Sequence, residues 1–167
     1  MAKKLPKFNE DSYAHFVTTK TFNLIPFFRD DACCEIFVED LKFYERRLGF
    51  ETIAWVLMPD HMHAIFWWDK EINPLLEIST IMHRIKSHTA AKISEHITGG
   101  PRRIRVWQRG TYDFPMFNQR KIKEKINYIH MNPVRAGLVL DPSEYRWSSY
   151  HEFLDYGSGC DGHKNIG

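Results

Sequence analysis

An α+β fold built on a split βαβ repeat is what this sequence predicts. The expected order is βαββαβ, a ferredoxin-like four-stranded antiparallel sheet with two helices on one face, plus an additional C-terminal helix. Three observations predict it. Two stretches of helical periodicity each stand between strand-like stretches, a short turn alone separates the two middle strands, and a third helical stretch follows the last strand.

"HFVTTKTFN" (15–23) alternates and is β-branched, which reads as the first strand. In "FFRDDACCEIFVEDLKFYERRLGF" (27–50), Cys33, Ile36, Phe37, Leu41, Tyr44 and Leu48 recur at three- and four-residue steps. That is an amphipathic helix, with Gly49 as its C-cap. "FETIAWVLM" (50–58) is the second strand. Pro59 suits a turn, and "HMHAIFWW" (61–68) returns as the third strand of a hairpin. Residues 73–97 predict a long helix capped by Asn73, with Pro74 in its first turn. Its buried stripe is Leu75, Ile78, Met82, Ile85, Thr89, Ile93 and Ile97. "RIRVWQRG" (103–110) is the expected fourth strand. "NQRKIKEKINYIHMN" (118–132) is the third helix, stopped by Pro133 and packed on the other face of the sheet or at an edge.

The length of 167 residues suits one domain, taken as 1–156 with its core at about 12–152, followed by a flexible tail at 157–167. Hydrophobic residues at 43% exclude a disordered composition. No apolar run approaches the roughly 20 residues of a membrane span, so no membrane partner is expected. No apolar segment follows the charged N-terminus, so no signal peptide is expected and the location predicted is cytoplasmic. Cys33, Cys34 and Cys160 are odd in number and lack CxxC spacing, which argues against a disulfide framework or zinc cage and for a reducing compartment.

Net charge is +2, yet the charges are segregated. Residues 30–51 are acidic, and residues 102–125 carry Arg102, Arg103, Arg105, Arg109, Arg120, Lys121, Lys123 and Lys125 against Asp113 and Glu124. Such a segment suits a polyanion partner, and equally a solvated basic face.

Alternation puts His61 and His63 on one face of the third strand, and Met62, Ala64 and Phe66 on the other. Both imidazoles can reach one ion at a solvent-accessible strand start, and Asp60 can fix a ring tautomer. Half-buried histidines without a ligand role fit the same pattern. On the third helix, Ile122, Ile126 and Ile129 centre the apolar stripe. Tyr128 lies off it, sharing a face with Lys121, Lys125 and Asn132. A phenol beside cations suits attack on a phosphodiester. A surface tyrosine shielding the core edge suits the position too.

In order and spacing, "MPDHMHAIF", "VWQRGTYD", "INYIHMNPVRAGLV" and "EYRWSSY" resemble the REP-associated tyrosine transposases, relatives of the insertion-sequence-200-like transposases within the single-tyrosine HUH nucleases. The resemblance covers roughly residues 12 to 152. It implies a DNA transposase that nicks and rejoins single-stranded DNA at palindromic hairpins, through a covalent 5′-phosphotyrosine and with Mg²⁺ or Mn²⁺. It implies Tyr128 as nucleophile on a catalytic third helix, and His61, His63 and Asn132 as metal ligands. Wider relatives often have Gln at the last position. Candidate DNA-backbone contacts are Arg84, Lys86, Arg102, Arg103, Arg105, Arg109, Lys121 and Lys125, with His88 beside them. Trp107, Tyr112 and Phe114 could stack bases, although Trp107 on a strand equally suits the core. "NPVRAGLV" ends the helix with Gly137 in a cap, and "EYRWSSY" packs the C-terminal segment. Relatives work as monomers or homodimers.

Two other classes stay open on sequence. A non-catalytic single-stranded nucleic-acid binder fits the fold, though the RNP1 pattern of RRM domains is missing. A structural zinc site at His61 and His63 would need four ligands, which the cysteines are poorly placed to complete.

Overall fold

Strand β1 (Ala14–Lys20) lies inside a four-stranded antiparallel sheet of order β2-β3-β1-β4. The structure, a computed structural model, describes residues 13–154. The tail expected at 157–167 lies outside the described residues. After β1 come α1 (Asp31–Leu48), β2 (Glu51–Met58), β3 (His61–Trp67), α2 (Ile78–Thr98), β4 (Tyr112–Met116), α3 (Gln119–Arg135) and the short α4 (Tyr150–Leu154).

The expected split βαβ order is the observed one. Helices α1 and α2 cover one face, where Met62, Ala64 and Phe66 of β3 join Phe37 and Leu41 of α1 and Ile81, Ile85 and Ile93 of α2. Helix α3 covers the opposite face, with Ile122 and Ile129 against Phe16, Val56, Met58 and Ile65. The sheet is therefore buried on both sides, which is why its central strands read as nearly continuous apolar runs. Asp30 caps α1 by accepting the Ala32 N–H at 2.9 Å, and Gly49 closes that helix at φ +73°.

Three sequence expectations are corrected. The fourth strand is Tyr112–Met116, not residues 103–110. Residues 103–110 make a single bridge, Thr21 to Trp107, and pack on α2 instead. Val106 and Trp107 are buried there, and the Trp107 indole donates to Thr89 Oγ1 at 3.0 Å. Trp107 is thus a core residue and not a base-stacking platform. The true β4 carries Pro115, which a sheet edge tolerates.

Helix α2 begins at Ile78 rather than Asn73. The Asn73 amide instead donates to the Leu48 carbonyl at 2.7 Å, tying this loop to the end of α1. Leu75, expected in the buried stripe, is 90% exposed, and Ile97 at the far end is exposed as well.

Helix α3 runs through Pro133 to Arg135. A proline lacks the N–H that would reach the carbonyl four residues back and its ring crowds that carbonyl, and here the disturbance falls only in the last turn. The helix then closes with Gly137 at φ +72°: the Gly137 N–H reaches Val134 O and the Leu138 N–H reaches Pro133 O. The expected cap glycine holds, one turn beyond the expected end of the helix.

The outer edge of β2 is covered by the "EYRWSSY" segment, as expected. The Leu57 N–H donates to Trp147 O, the Ser149 N–H to Trp55 O, and the Tyr145 hydroxyl to Leu57 O at 2.7 Å.

Candidate active site

Register explains the site. On β3, Thr18 of β1 stands directly opposite His63, and Lys20 opposite His61. All four side chains lie on the face that α3 covers. The imidazoles are edge to face, with centroids 5.0 Å apart. Asp60 Oδ1 lies 2.6 Å from His61 Nδ1, as the sequence suggested. His63 Nδ1 lies 2.6 Å from Thr18 Oγ1, a partner that sequence reading missed. A threonine alternating along a strand carries no local signal, and only the strand register reveals its neighbour.

Both Nδ1 atoms are thus engaged, and among the described residues neither Nε2 has a hydrogen-bond partner. With Nδ1–H donating, each Nε2 keeps a lone pair. His63 is 6% exposed. Burial, and then the charges of His61, Lys125 and Lys20, push its pKa down to about 3, which keeps the ring neutral and able to ligate.

Helix α3 brings Tyr128 to this pair within the same chain. The Tyr128 and His63 ring centroids are 5.4 Å apart, and Phe16 meets Tyr128 edge-on at 5.9 Å. The phenol hydroxyl has no hydrogen-bond partner among the described residues. Lys125 Nζ lies 5.1 Å from the Tyr128 ring centre and 4.7 Å from that of Phe16. Asn132, half-buried one turn further along the same face, likewise leaves its side-chain amide without a partner among the described residues.

Two imidazoles on one strand face and an amide one helical turn beyond Tyr128 offer nitrogen and oxygen donors of the types that Mg²⁺ or Mn²⁺ accepts. A second group of metal-type donors stands on the other face of the sheet. There Asp30, Cys33 and His96 lie within 4.8 Å of one another, between the start of α1 and the end of α2. Their donors are engaged: Asp30 pairs with His96 at 2.8 Å and caps α1, and burial together with the Asp30 charge pushes the Cys33 thiol up to about 11.

The basic segment is divided between the two sides of the sheet. Lys121 and Lys125 belong to α3, beside Tyr128. Arg102, Arg103, Arg105 and Arg109 are exposed on the loop against α2, and Arg84 is exposed on α2 itself. Arg105 stacks on Phe22 at 4.4 Å, and Lys121 pairs with Glu124 at 2.9 Å. Lys86 holds the loop together by donating to the carbonyls of Gln108 at 2.8 Å and Gly110 at 2.7 Å. It lines a groove of about 590 Å³ with Arg105 and Arg109. His88 and Lys92 face the buried Asp40 carboxylate, at 3.2 and 2.6 Å. Tyr112 is exposed on the edge strand.

A ferredoxin-like sheet presenting a histidine pair to a helix-borne tyrosine defines a class, that of histidine-pair, single-tyrosine domains. The chain belongs to the IS200-like transposase family, whose model, "Transposase IS200 like", matches residues 10–132. It is 30% identical over 107 residues to the REP-associated tyrosine transposase of Escherichia coli K12, covering 64% of this chain and 58% of that protein. A Haemophilus influenzae relative is 24% identical over 106 residues, covering 61% of this chain and 60% of that one. The chain thus matches less than two thirds of the length of these curated relatives. In fold it is similar to a REP-associated tyrosine transposase whose structure was solved bound to a REP hairpin. The TM-score is 0.73, with 20% identity over 99% of this chain and 93% of that one. Among the described residues, no helix is long and apolar enough to cross a membrane.

Proposed function

We propose that this chain is a metal-dependent nuclease and strand transferase acting on single-stranded DNA beside palindromic, REP-like hairpins, with Tyr128 as its nucleophile. The observation that carries the reading is the placement of Tyr128, hydroxyl unpaired, 5.4 Å from the neutral His63 ring of its own chain. The hairpin-bound structural relative supports the substrate class, and the family supports the transposase reading.

In this mechanism His61, His63 and Asn132 would hold a divalent ion, with Asp60 and Thr18 orienting the two imidazoles through their Nδ1 atoms. Bound there, Mg²⁺ or Mn²⁺ supplies Lewis-acid polarisation of the scissile phosphate. The Tyr128 hydroxyl attacks phosphorus and loses its proton to solvent. The Tyr128 Oη–P bond forms as the P–O3′ bond breaks, and the departing 3′-oxygen takes up a proton to become a hydroxyl. Lys125 neutralises charge on the phosphoryl group. Attack by another 3′-hydroxyl reverses the step, and the bond energy kept in the phosphotyrosine makes ATP unnecessary. Exposed Arg84, Arg102, Arg103, Arg105 and Arg109, with Lys121, supply backbone contacts to the hairpin. Lys86 is set aside, since its ammonium is committed to the loop carbonyls. The substrate places the reaction in the cytoplasm, with each subunit using its own tyrosine whether the protein is monomeric or dimeric.

The test is incubation of the full chain with hairpin-flanked single-stranded DNA and Mn²⁺, followed by a denaturing gel. The wild type gives a covalent protein–DNA adduct and Tyr128→Phe gives none. An adduct that persists in Tyr128→Phe overturns the reading. Chelator-resistant DNA binding without any adduct would favour the non-catalytic binder. A mixture of His63→Ala and Tyr128→Phe chains stays inactive if each subunit uses its own tyrosine.

A further inference from the structure

The "NPVRAGLV" motif ends α3, and helix termination alone leaves its arginine unexplained. Because the helix continues through Pro133, Arg135 falls seven residues after Tyr128, two turns along the same face. Lys125, Tyr128, Asn132 and Arg135 therefore form one stripe. The Arg135 guanidinium lies 5.2 Å from the Tyr128 ring centre, opposite in sequence to Lys125 at 5.1 Å. Its Nη1 donates to the Tyr128 carbonyl at 3.5 Å, a long contact that leaves most of its donors free. Arg135 is exposed, and among the described residues it has no carboxylate partner. A guanidinium that rests on the nucleophile's ring with no anion of its own is suited to an anion brought by substrate.

We propose that Arg135 is a phosphate-gripping catalytic residue, whose guanidinium binds the non-bridging oxygens of the phosphodiester that Tyr128 attacks and of the phosphotyrosine that results. This inference rests on the nicking reading given above. Lys125 contributes a point charge. Arg135 contributes a planar fork, which orients phosphate by paired hydrogen bonds. As the Tyr128 Oη–P bond forms and the P–O3′ bond breaks, negative charge stays on the oxygens the fork holds.

A cation in the last helical turn is also favourable for the helix itself. The two roles separate in single-turnover adduct formation by the full chain, measured with Mn²⁺ against rising concentrations of hairpin-flanked DNA, with melting temperature recorded beside it. Arg135→Ala lowers the maximal rate at saturating DNA by about tenfold to a hundredfold while the protein stays folded. Arg135→Lys recovers part of that loss, because it restores charge but not the fork. Guanidinium ion added to Arg135→Ala raises the rate. An unchanged maximal rate in Arg135→Ala, or a loss that only follows the unfolded fraction, overturns the proposal. If Arg135→Ala does not fold, Arg135→Lys decides: a wild-type rate overturns the proposal and a reduced rate supports it. A wild-type chain that forms no adduct would sink the nicking reading itself, a different outcome from an adduct that is indifferent to Arg135.

Discussion

The two faces of the one sheet do different work. Against α1 and α2, β3 contributes Met62, Ala64 and Phe66, all without solvent exposure, to a continuous apolar core. Against α3, the same strand contributes His61, His63 and Ile65, and the apolar cluster stops where Tyr128 and its cations begin. The comparison extends to two equally buried histidines. His15 on β1 points to the α1/α2 side, stacks on Trp68 at 4.9 Å and pairs with Asp113 at 2.9 Å, and its Nε2 is sealed away. His63, also 6% exposed, has its ring centre 5.4 Å from that of Tyr128. Burial alone does not distinguish the two. What differs is the face of the sheet and the ring that each imidazole packs against.

The largest expected contrast sets His63 against its neighbour. His63→Ala lowers adduct formation by at least about a hundredfold with the fold retained. Met62→Ala, one residue away, costs about 2–5 kcal/mol of stability in denaturant unfolding, while the folded fraction keeps its activity. If His63→Ala unfolds the protein and Met62→Ala abolishes chemistry without loss of stability, the division of the faces is wrong.

Acid probes the α3 side. His130 is buried, its imidazole 2.9 Å from Ser149 Oγ, with Tyr150 and Phe153 against the ring, and burial pushes its pKa down to about 4. The unfolded chain binds this proton near pH 6.5, well above the folded chain. Stability is therefore full above about pH 6.5 and falls as pH drops toward about 4, by up to about 3 kcal/mol. His130→Gln flattens that part of the urea-stability profile. An unchanged slope would remove His130 as its source.

A smaller effect is expected at Thr18. Thr18→Val removes the partner of His63 Nδ1 without changing volume much, and lowers Mn²⁺ affinity about tenfold to a hundredfold in calorimetry. In the metal-free wild type, ¹⁵N shifts of His63 report the Nδ1–H tautomer, and in the variant they report a mixture. Wild-type affinity and tautomer in Thr18→Val would show that the hydroxyl is incidental. Smallest is Lys86→Met, which releases the loop carbonyls of Gln108 and Gly110 and costs about 1–2 kcal/mol. The salt dependence of DNA binding stays at the wild-type slope, whereas loss of Arg105 or Arg109 reduces it.

Much of this architecture was legible because periodicity and caps are local. Helix α1 with its Gly49 cap, the β2–β3 hairpin and the shared face of His61 and His63 all follow from residue spacing. The errors came where a local pattern competed with a distant partner. "RIRVWQRG" has strand-like composition, but Trp107 found Thr89 and the loop carbonyls found Lys86, while the polar "YDFPM" took the open edge of β1. Asn73 looks like a cap until the Leu48 carbonyl offers it a better use.

The sequence by itself determined the order of elements, the shared face of the two histidines and the displacement of Tyr128 from its helix's apolar stripe. Each is fixed by the period of a single element. Only the tertiary structure decided that Tyr128 meets His63 in the same chain, that Thr18 backs His63, and that Arg135 joins the tyrosine's face. Those depend on strand register, on which side of the sheet α3 packs, and on a last turn that holds despite its proline. Such relations arise between elements far apart in the chain, or from a cap closed beyond a helix-breaking residue, and no single element's period encodes them.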